Sequence, residues 1–177
     1  MADEIELELT YLAKHLPEGL AGSESKEVQD IYIPKSAHHP KLRIRKSGEK
    51  LMITKKEPTD SGDYSVQVEH TIPLTREEFG EMSKLEGKRI RKTRYLYKYK
   101  GRIAEVDVFK DGLEGLVVVD FEFSTAKEKD SFVQPEFCLA EVTQEEFIAG
   151  GTLCGKTYSD IEKELDRFGY KKITQVP

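Results

Sequence analysis

The sequence predicts an α+β protein in which eight antiparallel strands close into a β-barrel, a tunnel with a charged lumen and flanking helices. Three observations predict this fold. Apolar and polar residues alternate with a period of two through most of the chain, glycine-containing turns join several alternating segments, and capping signatures mark helices between and after them. Without a linker or internal repeat, the 177 residues predict a single domain over residues 1–177, with a helical C-terminal segment from about residue 143.

The alternating segments define the strands. In the first, Ile5, Leu7 and Leu9 alternate with glutamates, and in the last, Phe121 and Phe123 alternate with acids. The eight predicted strands lie at residues 4–11, 29–33, 41–45, 50–56, 64–71, 92–97, 104–108 and 117–123.

Helices are expected in the gaps between these strands and after them. Capping boxes at residues 75–78, 143–146 and 159–162 predict three helix starts, and Gly169 is placed to end the last helix. A weaker helical pattern covers residues 23–28.

Composition excludes several classes of protein. The formal net charge of -5 argues against nucleic acid as a partner, because such binding usually needs a basic face. No apolar run approaches the ~20 residues of a membrane-spanning helix, and the first residues lack a signal-peptide profile. Cys138 and Cys154 are too few for a disulfide scaffold and lack metal-ligand spacing. We therefore expect a cytoplasmic protein with no membrane partner.

The polar sides of the predicted strands are charged and segregated by sign. The acidic positions are Glu6, Glu8, Glu69, Glu105, Asp107, Asp120 and Glu122. The basic positions are Arg43, Arg45, Lys50, Lys56, Lys92 and Arg94. On any single strand, the charged residues could simply mark a face that is exposed to solvent. Across all the strands this explanation is weaker, because a solvent-exposed face would mix positive and negative residues and would use Ser, Thr and Asn freely.

A closed barrel with this face inward would be a polar tunnel in which acids and bases neutralise one another or a bound ligand. Carboxylates suit Mg²⁺ or Mn²⁺, and Arg with Lys suits the oxygens of a polyphosphate. The pattern therefore predicts a site for a divalent metal and a polyphosphate.

Seven short motifs follow one another along the chain. They are ELELTYL at 6–12, QDIYI at 29–33, LRIR at 42–45, ITKK at 53–56, IRKTRY at 90–95, EVDVF, LEGL and DFEF within 105–123, and Pro135 followed by EVT at 141–143. Each motif alone is weak, but in this order and spacing they resemble the CYTH superfamily, whose members are also called triphosphate tunnel metalloenzymes.

The resemblance implies divalent-metal-dependent chemistry on a small-molecule triphosphate, with Mg or Mn as cofactor. It implies the metal ligands Glu6, Glu8, Asp120 and Glu122. It implies further acids that hold metal-bound water, namely Glu69, Glu105 and Asp107. It implies the phosphate-binding residues Arg43, Arg45, Lys56, Lys92 and Arg94. The bound metal would neutralise charge and lower the pKa of the attacking water. The oligomeric state stays open, with a homodimer as one option.

Three departures from the superfamily's pattern stand out, of which Asp120 in the last strand, where Glu is commoner, is the mildest. Thr10 stands where a lysine is usual, and the strand that usually carries Arg and an additional Glu has Ser65 and Gln67 instead. Lys50 and Lys55 are candidates to replace the lost cations.

Three functions are compatible with this site. We expect an inorganic triphosphatase-like hydrolase, because no adenine-reading motif is present. A class IV adenylate cyclase and a catalytically weak polyphosphate-binding domain are the alternatives.

Two other features have ordinary structural explanations. His38 and His39 are expected in an exposed loop rather than at a metal, and Tyr95, Tyr97 and Tyr99 on the barrel exterior rather than stacked on a base.

Overall fold

The computed structural model describes residues 4–59 and 62–174. Its strands are β1 Glu4–Ala13, β2 Glu24–Ile33, β3 Leu42–Ser47, β4 Lys50–Pro58, β5 Val66–Pro73, β6 Lys88–Tyr99, β7 Arg102–Phe109, β8 Val117–Phe123 and β9 Cys138–Glu141. Its α-helices are α1 Arg76–Met82, α2 Ala126–Asp130, α3 Gly150–Leu153 and α4 Tyr158–Asp166. None of the helices in these described ranges is long and apolar enough to cross a membrane.

Eight strands form a closed antiparallel barrel, and the ninth lies outside it. The strand order is β5-β4-β3-β2-β6-β7-β8-β1-β9, and an additional pairing of β5 with β1 closes the ring. The predicted fold class is confirmed, since alternation had indicated all eight barrel strands and only β9 was missed.

β1 is the strand at which the barrel closes, and its outer edge is shared between two neighbours. Residues 4–7 pair with residues 66–69 of β5, whereas the last residues of β1 pair with β9. Between these two pairings, Val142 N donates to Thr10 O at 2.8 Å and Thr10 N donates to Thr143 Oγ1 at 3.0 Å. The residues that follow β9 therefore occupy the edge that β5 leaves free.

The outer face of β1, β6, β7 and β8 is covered by aromatic side chains. Phe121 and Phe132 have ring centroids 4.6 Å apart, and Tyr99 meets Phe137 edge-on at 5.3 Å. Tyr97 also meets Phe137 edge-on, so this tyrosine face lies outside the barrel. The cover was expected to be helical, but the segment around residues 132–137 provides much of it, because bulky rings seal a strand face without a long helix.

Inward-facing apolar side chains close one end of the lumen, and we call them the floor. The floor consists of Tyr32, Ile90, Phe109, Val118 and Ile148. The C-terminal segment packs beneath it with Leu153, Ile161, Leu165 and Tyr170. The Tyr170 hydroxyl fixes this packing, since it accepts from Val117 N and donates to Gly115 O, both at 2.8 Å.

The helix predicted at residues 23–28 is wrong, because these residues open β2. Their partner is β6, with Glu24 opposite Leu96 and Val28 opposite Lys92. Pairing with a distant strand therefore overrides the local preference of this charged segment.

Two of the three predicted helix starts also differ. The capping box of Thr75 with Glu78 is present at the start of α1. No α-helix begins at Thr143, because its hydroxyl accepts from β1, and only a 3-10 turn at Glu146–Ile148 follows. The last helix starts two residues earlier than expected, with Thr157 N donating to Asp160 Oδ2 at 2.7 Å.

Candidate active site

The inward-facing charged residues surround a polar cavity of about 270 Å³ above the floor. All the site residues predicted from the sequence line this cavity except Glu105. The lining residues from this set are Glu6, Glu8, Arg43, Arg45, Lys56, Glu69, Lys92, Arg94, Asp107, Asp120 and Glu122. Since strand alternation turns every second side chain inward, the sign pattern of the sequence becomes the charge pattern of the lumen.

Three carboxylates come together where β1 and β8 lie side by side, and we call them the acid cluster. One oxygen from each of Glu6, Glu8 and Glu122 lies within 4.8 Å of the others. Glu8 and Glu122 are directly opposite each other in the β1–β8 register, and Glu6 points the same way one step along β1. Such a set of hard oxygen donors fits a divalent cation such as Mg²⁺ or Mn²⁺.

Lys56 of β4 contacts the acid cluster. Its Nζ lies 2.5 Å from Glu6 Oε2 and 3.3 Å from Glu8 Oε1. Burial would raise the pKa of Glu8, but Lys56 and Arg94 outweigh burial and hold that pKa below its usual value. Burial and repulsion from neighbouring glutamates, beginning with Glu105, raise the pKa of Glu122 to about 7.

Asp120, predicted as a fourth metal ligand, lies outside the acid cluster. Thr10 Oγ1 donates to its Oδ1 at 2.8 Å, and Arg94 Nη2 lies 3.6 Å from its Oδ2. Burial first, and then repulsion from Glu8 and Asp107, raise the pKa of Asp120 to about 8. The threonine at position 10 thus supplies a neutral donor where a lysine would supply a charge.

Asp107 is the centre of a buried ion network on β6 and β7. Arg94 donates to both of its oxygens at 2.7 Å, and Lys92 Nζ contacts it as well. Arg94 also contacts Glu105. Despite burial, Arg94 and Lys92 hold the pKa of Asp107 well below its ordinary value. Two of the acids expected to hold metal-bound water are therefore engaged by cations.

A second ion pair joins β2 and β3, and its acid, Asp30, was not among the predicted site residues. Arg45 donates through Nε and Nη2 to the two oxygens of Asp30, each at 2.7 Å, and Asp30 is only 3% exposed. A signal was present in the alternation, because Asp30 shares one face of its strand with the apolar Val28 and Tyr32. Its pKa stays low because Arg45 and Arg43 outweigh its burial.

Arg43 is held more loosely than Arg45. Its Nη1 donates to the Tyr32 hydroxyl at 3.2 Å, and its Nη2 lies 3.6 Å from Glu69 Oε2. Glu69 also accepts from Thr71 at 2.8 Å. Arg43 Nε is buried with no hydrogen-bond partner among the described residues. This arginine therefore has donor capacity left for a ligand.

The segment after β9 forms one side of the cavity, together with the loop between β2 and β3. Gln144 fixes this segment, since its Nε2 donates to Asp63 Oδ1 at 2.8 Å and its Oε1 accepts from Tyr64 N at 3.2 Å. His39 also lines the cavity and is only partly exposed, whereas His38 is exposed as expected.

The suggested replacement cations lie elsewhere. Lys55 is about half exposed and pairs with Glu57, and neither it nor Lys50 lines the cavity. Gln67 does line it, but its Nε2 donates to the Tyr64 carbonyl at 2.8 Å. Neither lysine therefore lies where it could replace a missing cation, whereas Lys41 at the cavity wall is a cation that was not among the predicted site residues.

The comparison with known protein families agrees with the closed barrel and its charged lumen. A family model described as the CYTH domain matches residues 3–134, which is most of the chain. The chain belongs to the CYTH family. Its charged lumen and closed eight-stranded barrel are thus the family's tunnel, as the motif order had implied.

Individual relatives in the CYTH family point the same way. An inorganic triphosphatase of Nitrosomonas europaea is 28% identical over 141 residues, covering 79% of this chain and 90% of the relative. A crystal structure of an inorganic triphosphatase superposes with a TM-score of 0.61 at 25% identity, covering 84% of this chain and 93% of that chain. An adenylate cyclase candidate from Bacillus halodurans shares the fold, with a TM-score of 0.55 at 15% identity over 100% of this chain and 96% of its own.

Proposed function

We propose that this CYTH protein is a divalent-metal-dependent phosphohydrolase that acts on a triphosphate, with inorganic triphosphate as the preferred substrate. The observation that carries the proposal is the division of the lumen into a cluster of carboxylates and a facing group of buried cations. The similarity to an inorganic triphosphatase supports the choice of substrate.

The acid cluster is the place for the metal. Glu6, Glu8 and Glu122 would hold Mg²⁺ or Mn²⁺ through carboxylate oxygens, with Asp120 nearby and hydrogen bonded to Thr10. When bound, the metal would neutralise phosphate charge and lower the pKa of a coordinated water. Pairing of β1 with β8 in the barrel wall would hold Glu8 and Glu122 in position for this role.

The cations would bind and orient the phosphate chain. Arg43 is the first candidate, because its Nε has no partner among the described residues and its guanidinium fork matches phosphate oxygens. Arg94 and Lys92 lie next to Asp107 and line the same cavity. Arg45 is fixed by Asp30 through Nε and Nη2 and also lines the cavity.

Glu69 is the best placed of the three acids that the resemblance assigns to metal-bound water. Glu105 and Asp107 are engaged by Arg94, whereas Glu69 makes one hydrogen bond with Thr71 and lies 3.6 Å from Arg43. We assign Glu69 to positioning the attacking water beside the phosphate, and Asp107 and Glu105 to positioning the cations.

The test is release of phosphate and pyrophosphate from tripolyphosphate, ATP and thiamine triphosphate, with Mg²⁺ and with Mn²⁺. We expect metal-dependent hydrolysis of tripolyphosphate, reduced at least about a hundredfold by Glu6→Gln or Arg94→Ala, since each removes a charge from the reacting centre. Glu57→Gln and Lys55→Ala are matched controls on the outer face of β4, and we expect them to keep full activity.

The same assay separates the alternatives. Cyclic AMP and pyrophosphate from ATP would replace the proposal by a cyclase. Binding of tripolyphosphate without turnover would identify a polyphosphate-binding protein, which the engagement of Glu105 and Asp107 by cations would then explain.

A further inference from the structure

Among the predicted phosphate-binding cations, and within the described ranges, Lys56 is the one that forms its ion pairs with the acid cluster. Its Nζ lies 2.5 Å from Glu6 Oε2 and 3.3 and 3.4 Å from the two oxygens of Glu8. By contrast, Arg45 is paired with Asp30, and Arg94 and Lys92 with Asp107, away from the cluster. The lysine therefore contacts two of the three carboxylates that would bind the metal.

A divalent cation at Glu6 and Glu8 would compete with the ammonium for the carboxylate oxygens. Metal–carboxylate distances are about 2.0–2.6 Å, so the metal would need the same oxygens and would lie within a few ångströms of a like charge. Lysine is suited to leave, because its charge is carried at the end of a flexible four-carbon stem.

We propose that Lys56 occupies the cation position of the acid cluster in the metal-free protein, and that metal binding transfers its ammonium to the phosphate chain. The inference rests on the proposed metal site and adds a step that couples its two ligands. Lys56 lies opposite Glu69 in the β4–β5 register, and Arg43 projects from the neighbouring strand β3. A small rotation of the lysine side chain would therefore bring Nζ toward the arginine that has a free donor.

The exchange increases the positive charge at the acid cluster and keeps the lysine in the lumen. Without metal, one positive charge offsets the acid cluster. With metal, two positive charges replace it, and the released ammonium meets the anionic substrate that the metal accompanies. A lysine that only bound phosphate would keep its position when the metal binds, and this difference makes the exchange testable.

The experiment measures Mn²⁺ binding by isothermal titration calorimetry without any phosphate ligand. We expect Lys56→Met to bind Mn²⁺ at least about tenfold more tightly than the natural protein, because a competing cation is gone. The same variant should bind tripolyphosphate at least about tenfold more weakly when no metal is present. Lys56→Arg, which keeps the charge, should stay within about threefold of the natural protein for Mn²⁺.

The matched control is Lys55→Met on the same strand, whose amine pairs with Glu57 on the outside and should leave both affinities unchanged. Should Lys56→Met fail to fold, the natural protein gives the answer by mass spectrometry. Addition of Mg²⁺ should then increase acylation of Lys56 relative to Lys55, because the ammonium loses its carboxylate partners.

Equal or weaker Mn²⁺ binding by Lys56→Met, unchanged acylation, or no Mn²⁺ binding by either protein overturns the exchange. The proposed function fails separately. A protein that shows the expected Mn²⁺ affinities but hydrolyses no triphosphate contradicts only the hydrolase, whereas hydrolysis with Mn²⁺ affinity unaffected by Lys56→Met contradicts only the exchange.

Discussion

Two-point pairs of an arginine with an aspartate occur three times among the described residues, twice in the lumen and once on the surface. Arg45 with Asp30 and Arg91 with Asp111 are both two-point pairs with N–O distances of 2.7 to 2.8 Å. Asp30 has a side chain only 2% exposed, whereas the side chain of Asp111 is 57% exposed. The two pairs therefore differ in their effect on folding stability, because solvent screens the exposed pair and does not screen the buried pair.

Asp30→Asn should destabilise the protein by about 3–5 kcal/mol, because it leaves the buried Arg45 charge without a counter-charge. Urea denaturation of the metal-free protein measures this loss. The matched change Asp111→Asn on the surface should have a much smaller effect. Equal losses for the two variants would contradict the view that burial decides the contribution.

Asp120 and Glu122 make the metal-free protein less stable as pH rises. Their pKa values in the folded state are about 8 and about 7, against 3.8 and 4.5 ordinarily. From about pH 4 to about pH 8, the folded state therefore holds protons that the unfolded chain has released, so its stability falls with increasing pH.

Melting temperatures in EDTA between about pH 5.5 and about pH 8.5 test this slope. We expect Asp120→Asn to remove much of it, whereas Asp130→Asn, on the exposed side of α2, should leave it unchanged. A melting temperature of the natural protein that does not fall over this range would contradict the assignment.

Among elements, the short helix α3 illustrates a contact that sequence cannot reveal. An added Cβ at Gly151 would lie 2.2 Å from the Pro40 carbonyl oxygen and 2.7 Å from His39 Cδ2. The helix is therefore packed directly against the backbone of the β2–β3 loop at the cavity wall. Only a glycine allows this approach.

Gly151→Ala should cost about 1–3 kcal/mol in unfolding free energy, because backbone atoms have to move. Gly80→Ala in α1 is the control, since nothing lies within 4 Å of its added Cβ. That change should be neutral or stabilising by up to about 1 kcal/mol. Both values come from chemical denaturation, and a neutral Gly151→Ala would show that the loop is not tightly packed.

The elements that sequence predicted well are those determined by local pattern. Strand alternation identified the eight barrel strands and the inward direction of Glu6, Glu8 and Glu122, because a period of two fixes which side chains share a face. The errors occurred where contacts between residues far apart in the sequence determine the local structure. Residues 23–28 became strand through pairing with β6, and the Thr143 hydroxyl bonds to β1 instead of capping a helix.

The partners within the lumen were likewise beyond the sequence. Alternation indicated that Lys56 and Arg94 face inward, but not which acids they meet, because barrel closure sets those distances. Asp30 was missed for the same reason, as its importance comes entirely from Arg45 on the neighbouring strand.

At the scale of the whole molecule, the two hydrophobic clusters share the same strands. One cluster lies between the barrel exterior and the segment at 132–138, and the other joins the floor to the C-terminal helices. Because β1, β6, β7 and β8 contribute to both clusters, neither can be lost alone without exposing the other.

We therefore expect the chain to unfold in one transition as a single domain. Tyrosine fluorescence and far-ultraviolet circular dichroism should give coincident urea curves, since Tyr11 and Tyr170 report on different clusters. Separate transitions would instead identify the C-terminal segment as an independently folding unit.

The divided edge of β1 has a consequence for how such a protein can diversify. The barrel closes between β1 and β5 through four residue pairs, which join residues 4–7 to residues 66–69. Beyond these pairs, Thr143 and Gln144 complete the barrel wall. This part of the cavity wall is thus made by a connecting segment and not by a charged barrel strand. Lengthening or shortening that segment would change the room in the cavity and leave in place the strands that we propose to bind metal and phosphate.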